Sequence, residues 1–183
     1  MAYIDDSNKT DIHLTQSLIM QESTEFKLHP IGVVHTKLSV ESIRSDARDL
    51  RAVVEVYPEY REGLEGIDGF SHIFVLSYFD KLRPEQIGPL RVKPRRLLRY
   101  GLRLEELPLV GVFALDSPTR PNPVGLSLVR LIRRDQNELQ VEGLDLFDGT
   151  PVLDIKPYRE NHRAESFEIP EWDQRLRMLT GRT

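Results

Sequence analysis

The chain contains no cysteine, which excludes disulfides, thiolate nucleophiles and cysteine-built metal sites. No apolar run is long enough to cross a bilayer. The N-terminus carries Asp5, Asp6 and Asp11 where a secretory leader would be basic and then apolar, so the expected location is cytoplasmic with no membrane contact. Neither a Gly-x-Gly-x-x-Gly nor a Gly-x-x-x-x-Gly-Lys loop occurs, which disfavours Rossmann and P-loop cofactor sites. A large charge imbalance is missing too. A formal net charge of −4 argues against holding nucleic acid by bulk charge, and DNA is not an expected partner. At 183 residues, 39% hydrophobic and 30% charged, the composition is that of an ordinary globular domain with tails.

The charge that is present is unevenly placed. Between Gly88 and Leu104 lie Arg91, Lys93, Arg95, Arg96, Arg99 and Arg103, with no acid among them. Such an island can face phosphates, or it can be a solvated loop whose arginines pair with carboxylates elsewhere.

Proline is concentrated as well. Ser117-Pro118-Thr119-Arg120-Pro121-Asn122-Pro123-Val124-Gly125 packs three prolines and a glycine into nine residues. Each proline fixes φ and removes a donor, so the loop is expected to be stiff, with Arg120 and Asn122 projecting from it. Arg120 brings a planar fork of donors suited to a carboxylate, phosphate or ring edge. Asn122 brings a donor and an acceptor able to read a base edge or an amide. A second polar loop follows, Asp145-Leu146-Phe147-Asp148-Gly149-Thr150, leading into Asp154, Lys156 and Tyr158. Gly149 permits close backbone approach to a ligand. Asp145, Asp148 and Asp154 invite a metal-dependent hydrolase reading, but their spacing fits no calcium loop, and turn capping is about as good an explanation for each. No metal is expected. His72, on a strand, reads most simply as a hydrogen-bonded core histidine.

Periodicity places strands at 28–34, 52–57, 71–79, 109–115, 125–133, 138–144 and 152–155, and a short helix at 59–67. Asp135-Gln136-Asn137 is a tight hairpin turn. Pro170, Glu171 and Asp173 suit a helix start, Arg175 and Arg177 its end, and Gly181 its stop. Trp172, Leu176 and Leu179 recur as an apolar stripe expected to dock on the same domain. The expectation is a mainly β fold, a small closed or highly curved barrel of about seven strands with short helices and a C-terminal helix. The organisation expected is an N-terminal arm (1–27), a barrel domain (28–158) and a tail with a short helix (159–183). Residue chemistry alone leads to a β-rich domain with a rigid polar ligand site.

Several motifs go further when taken in order: Pro30-Ile31-Gly32-Val33-Val34, Gly66-Ile67-Asp68-Gly69-Phe70-Ser71-His72-Ile73, Gly111-Val112-Phe113-Ala114, SPTRPNPVGLS at 117–127 and DLFDGTPVLDIKPY at 145–158. Between about Leu28 and Tyr158 the chain resembles the TsaA/YaeB family, which includes the TrmO-type tRNA methyltransferases. The resemblance implies a dimeric β-barrel enzyme that uses S-adenosylmethionine (AdoMet) to methylate N6 of a modified adenosine beside the tRNA anticodon. It implies cofactor contacts from Phe79, Asp80, Arg120, Asn122 and the run Asp145, Leu146, Phe147, Asp148, Gly149 and Thr150. Asp154 becomes the candidate proton acceptor, with Lys156 and Tyr158 orienting the substrate. Arg91, Lys93, Arg95, Arg96 and Arg99 become the tRNA-contacting surface. The chain departs from the family pattern at Leu115-Asp116, at Arg44-Ser45-Asp46 and at Asp80. Those departures keep two alternatives open: an AdoMet-dependent methyltransferase with a different acceptor, and a non-catalytic module that binds AdoMet or a nucleotide.

Overall fold

Alternation of small branched residues with polar ones is what closes this chain on itself. In the computed structural model, which describes residues 25–37, 39 and 50–181, the strands are β1 (Gly32–His35), β2 (Arg51–Val56), β3 (His72–Tyr78), β4 (Arg91–Val92), β5 (Val110–Gly111), β6 (Val124–Asp135), β7 (Glu138–Glu142) and β8 (Pro151–Pro157). Six of them form a closed antiparallel barrel in the order β1-β2-β7-β6-β3-β8, while β4 and β5 pair separately. Closure leaves no unpaired sheet edge.

Every second side chain points inward, and those positions hold the apolar residues. Val34, Val54, Ile73, Val75, Leu139, Val141 and Val152 are wholly buried and form one core with Leu144, Leu146 and Val129. At Gly32 an added Cβ would lie 2.2 Å from the Glu55 carbonyl oxygen, so glycine is what lets β1 close against β2. The Asp135–Asn137 turn is a tight hairpin as expected, with Gln136 at φ 55°. Asn137 secures it to the end of β2: its side-chain amide donates to the Val56 carbonyl at 2.8 Å, and its own carbonyl accepts from the Val56 amide at 2.9 Å.

The elements differ from the sequence expectation in three places. The first strand starts at Gly32: Ile31 still bonds to Val152 and Tyr57 at its end, and Pro30 before it has no amide to donate. The expected helix at 59–67 is a 3₁₀ turn, Pro58–Leu64. The expected strand at 109–115 is the two-residue β5 followed by a 3₁₀ turn, Val112–Ala114, whose Val112 is fully buried. The barrel therefore has six strands, with the seventh expected run lying in the connection between β3 and β6. His72 is a further correction. It lies on the outer face of β3, in register with the outward Arg130, and takes part in an aromatic cluster instead of the core.

The C-terminal helix α1 (Glu171–Thr180) ends where expected, with Gly181 left-handed at φ 65°. Leu176 is buried with Leu97 and Leu107, against half-buried Leu102 and Trp172. The helix thus docks on the basic insertion and builds a second, smaller apolar cluster. Leu179, expected in the same stripe, is 58% exposed.

Topology gathers the connections at the two barrel ends. The end of β1 at His35, the start of β2 at Arg51 and the segments 79–123 and 143–150 lie at one end; the turns 57–71 and 136–137 and the exit at Tyr158 lie at the other. Both loops singled out in the sequence are at the same end. The N-terminal arm up to residue 24 and the Arg44-Ser45-Asp46 segment lie outside the described residues.

Candidate functional site

The mouth formed by those connections contains an open cleft lined by Phe79, Asp80, Lys81, Leu82, Pro118, Phe147 and Thr150. Phe79 is set by the barrel itself: its amide donates to the Pro123 carbonyl at 2.9 Å, one residue past the end of β3. Gly125, on the facing strand, makes room for it. A Cβ there would fall 2.6 Å from Ser77 Oγ and 2.7 Å from Phe79 Cζ.

The 145–150 turn is anchored at nearly every residue. Leu146 is buried in the core. Thr150, 4% exposed, donates its hydroxyl to the Phe147 carbonyl at 2.7 Å. The Asp148 carboxylate accepts the Thr36 amide at 2.9 Å. Gly149 is left-handed at φ 79°, and its amide donates to the Val34 carbonyl at 2.8 Å. The Lys81 ammonium donates to the Asp148 carbonyl. Asp145 faces Arg96 of the basic insertion at 3.5 Å. The turn is preorganised, and Phe147 and Thr150 are its contributions to the cleft lining.

The proline loop behaves differently from expectation at Arg120. Its guanidinium turns inward and serves its own segment, with Nε donating to the Ser117 carbonyl at 2.8 Å and Nη2 to the carbonyls of Leu115 and Val112. The bent backbone before the loop leaves carbonyls without strand partners, and one planar fork satisfies several at once. Arg120 holds the loop that supplies Pro118 to the cleft. Asn122 remains exposed, and its side chain has no partner among the described residues.

Asp154, Lys156 and Tyr158 are not at this mouth. Asp154 and Lys156 lie on the outer face of β8, opposite Leu76 and Phe74 of β3, and pair with each other at 2.6 Å. Tyr158 follows the far end of the strand, about 20 Å along it from the 145–150 turn. Its ring packs near Phe74, His72 and His162 at centroid distances of 5.6, 6.3 and 5.8 Å. The three aspartates are likewise held apart in role: Asp145 by Arg96, Asp148 by the Thr36 amide, Asp154 by Lys156. Among the described residues, no three His, Cys, Asp or Glu side chains are grouped as a metal would need.

The basic island is divided. Lys93 donates to the Leu104 carbonyl at 2.8 Å, and Arg99 lies over the Tyr100 ring at 4.8 Å. Arg96 is ion-paired with Asp145. Arg91 and Arg95 are exposed and carry no side-chain partner among the described residues.

Two residues were missed by sequence reasoning. Lys81 directly follows Phe79 and Asp80, and the signal is a cation three residues past the strand end. Ser77 is a hydroxyl at an inward β3 position, fully buried and without a hydrogen-bond partner among the described residues. Strict alternation along His72–Tyr78 marks it as polar where an apolar residue belongs.

A closed antiparallel barrel with a largely apolar cleft at one mouth, and no glycine-rich phosphate loop, defines a compact β-barrel protein of non-Rossmann type. Residues 34–163 match the model of the tRNA-methyltransferase O N-terminal domain. The chain belongs to that family. It is 39% identical over 156 residues to a probable S-adenosyl-L-methionine-binding protein of Pyrococcus abyssi, covering 83% of this chain and 73% of the relative. It is 49% identical over 92 residues to a tRNA (adenine(37)-N6)-methyltransferase of Eikenella corrodens, covering 49% and 48%. A crystal structure of TrmO superposes with a TM-score of 0.60 at 31% identity, over 79% of this chain and 64% of that one. The chain thus spans just under two thirds of the solved TrmO chain and about half of the Eikenella enzyme. No helix among the described residues is long and apolar enough to cross a membrane.

Proposed function

We propose that this protein is an AdoMet-dependent methyltransferase that modifies N6 of an adenosine next to the tRNA anticodon, working as a homodimer in the cytoplasm. The observation that carries the reading is the coincidence of the family match over 34–163 with a preorganised cleft built from Phe79–Leu82 and the 145–150 turn. The cleft's residues fit the cofactor. Phe79, Leu82, Pro118 and Phe147 offer apolar walls for a base, while Asp80 and Lys81 offer both charges for an amino-acid end. Gly149 keeps the backbone accessible, because only Lys81 Nζ lies within 4 Å of where its Cβ would be.

Bound AdoMet would supply an activated methyl group. The chain's own contribution is placement, and holding two reactants in line is worth up to about 7–11 kcal/mol. The anchored turn and Phe79 would fix one partner, Asn122 would approach from the proline loop, and Arg120 would keep that loop in place. Arg91 and Arg95 would meet phosphates, supported by Lys93, Arg96 and Arg99 on the same insertion.

A proton must leave the acceptor nitrogen. Asp154 is the sequence's candidate for that role, with Lys156 and Tyr158 orienting the substrate, and all three sit on the outer barrel face, away from their own cleft. They would act only at the mouth of a second copy. The same face exposes Leu126 at 68% and Leu128 at 47%, beside half-buried Leu76 and Phe74, and apolar residues in that density suit a subunit contact.

The test is transfer of labelled methyl from AdoMet to total tRNA, with base analysis of the product. Label in N6-methylated adenosine is expected; folded protein that binds AdoMet without transfer would favour a binding module. That second reading has its own support in the Pyrococcus relative, which matches more of this chain and is named for AdoMet binding alone.

A further inference from the structure

Lys81 is the only cation among the residues lining the cleft. Its ammonium donates to one backbone carbonyl, that of Asp148, and no carboxylate lies within ion-pair distance of it among the described residues. An ammonium has three donors, so two remain available beside the turn. A cation satisfied only by a carbonyl keeps its full charge, and the next group to arrive is favoured if it is anionic. The walls beside it are aromatic and aliphatic, and its neighbour Asp80 carries the opposite charge. This combination matches a zwitterionic amino-acid end joined to an aromatic base.

We propose that Lys81 binds the carboxylate of the cofactor's amino-acid end and thereby sets the direction in which the cofactor lies in the cleft, an assignment that rests on the AdoMet reading above. The same charge would repel a sulfonium placed against it, so the carboxylate lies at Lys81 and the base lies along Phe79 and Phe147. Lys81 is then a specificity residue. It separates ligands that carry the carboxylate from those that lack it.

The test is calorimetry of wild type and Lys81→Met with two ligands, AdoMet and decarboxylated AdoMet, which differ only in that group. Charge-assisted bonds of this kind predict a loss of about 10- to 100-fold in AdoMet affinity for the variant. Decarboxylated AdoMet should bind both proteins alike, and Lys81→Arg should recover most of the AdoMet affinity. Equal weakening of both ligands overturns the assignment, since Lys81 would then act only by holding the Asp148 carbonyl. An unchanged affinity for both, with weaker tRNA binding, overturns it in favour of a phosphate contact. Wild-type protein that binds neither ligand, with or without tRNA, overturns the cofactor reading itself, a result distinct from failure at Lys81.

Discussion

Arg96 and Asp145 face each other with Nη1 and Oδ2 3.5 Å apart, joining the basic insertion to the turn between β7 and β8. Both side chains are partly exposed, so the pair is worth at most about 1 kcal/mol of stability. Its larger consequence is for charge. Arg96 already faces a carboxylate, whereas Arg91 and Arg95 have none among the described residues. In filter-binding of tRNA across a salt series, Arg95→Ala is expected to reduce the slope of log affinity against log salt by about 0.7–0.9. Arg96→Ala should reduce it by less. Equal effects would mean that the ion pair opens when RNA binds.

Arg120 tests whether loop stiffness comes from proline alone. Removing a fork that serves the carbonyls of Val112, Leu115 and Ser117 leaves acceptors unpaired. Urea unfolding of Arg120→Ala should show a loss of about 1.5–3 kcal/mol. Arg120→Lys should recover little, because a point charge cannot span that geometry.

Two glycines should behave unequally. At Gly32 the added methyl meets the Glu55 backbone, which cannot yield without parting β1 from β2. Gly32→Ala is expected to cost about 3 kcal/mol or more by thermal unfolding. Gly125→Ala meets side-chain ends, Ser77 Oγ and Phe79 Cζ, so about 1–2 kcal/mol is expected. Displacing Phe79 also disturbs the cleft, and weaker AdoMet binding should accompany a modest stability loss.

The exposed face of β6 bears on assembly. Leu126→Glu combined with Leu128→Glu should convert a dimer to a monomer in sedimentation velocity while leaving the circular dichroism spectrum unchanged. A wild type that sediments as a monomer at all concentrations would remove the homodimer from the proposal.

Glu106 gives a small acid-side signature. The Arg103 amide donates to it at 2.7 Å, and the Arg103 guanidinium lies at 3.4 Å, so its pKa is held below the ordinary glutamate value, with the backbone bond the larger cause. A depressed folded value stabilises above the unfolded pKa of about 4.3 and is lost as pH falls through the lower folded value. Melting curves on the acid side of that point should fall less steeply for Glu106→Gln than for wild type, whereas identical slopes would show the bond absent in solution.

The strands that form the barrel were legible because their burial alternates. His72–Tyr78 and Glu138–Glu142 could be read from period-two patterning, and the C-terminal helix from its charges and Gly181. The stretch 109–115 departs from the expectation because Val110 and Val112 both look like strand residues, yet only Val110 and Gly111 find a partner, in β4, and the 3₁₀ turn begins where that pairing stops. Arg120 could be seen as important but not in which direction it points. Asp154, Lys156 and Tyr158 were grouped with Asp148 by nearness in sequence. A strand separates its ends by roughly 3.3 Å per residue, and alternate side chains take opposite faces.

The amino-acid sequence by itself determined the β-rich class, the two polar loops and the helix that closes the chain, because local propensity and periodicity are short-range properties. Only the tertiary structure decided that both loops meet at one mouth, that Lys81 and Pro118 line a common cleft, and that Arg120 faces inward. Those relations depend on which strands pair when the barrel closes, and contacts between residues distant along the chain have no local signature.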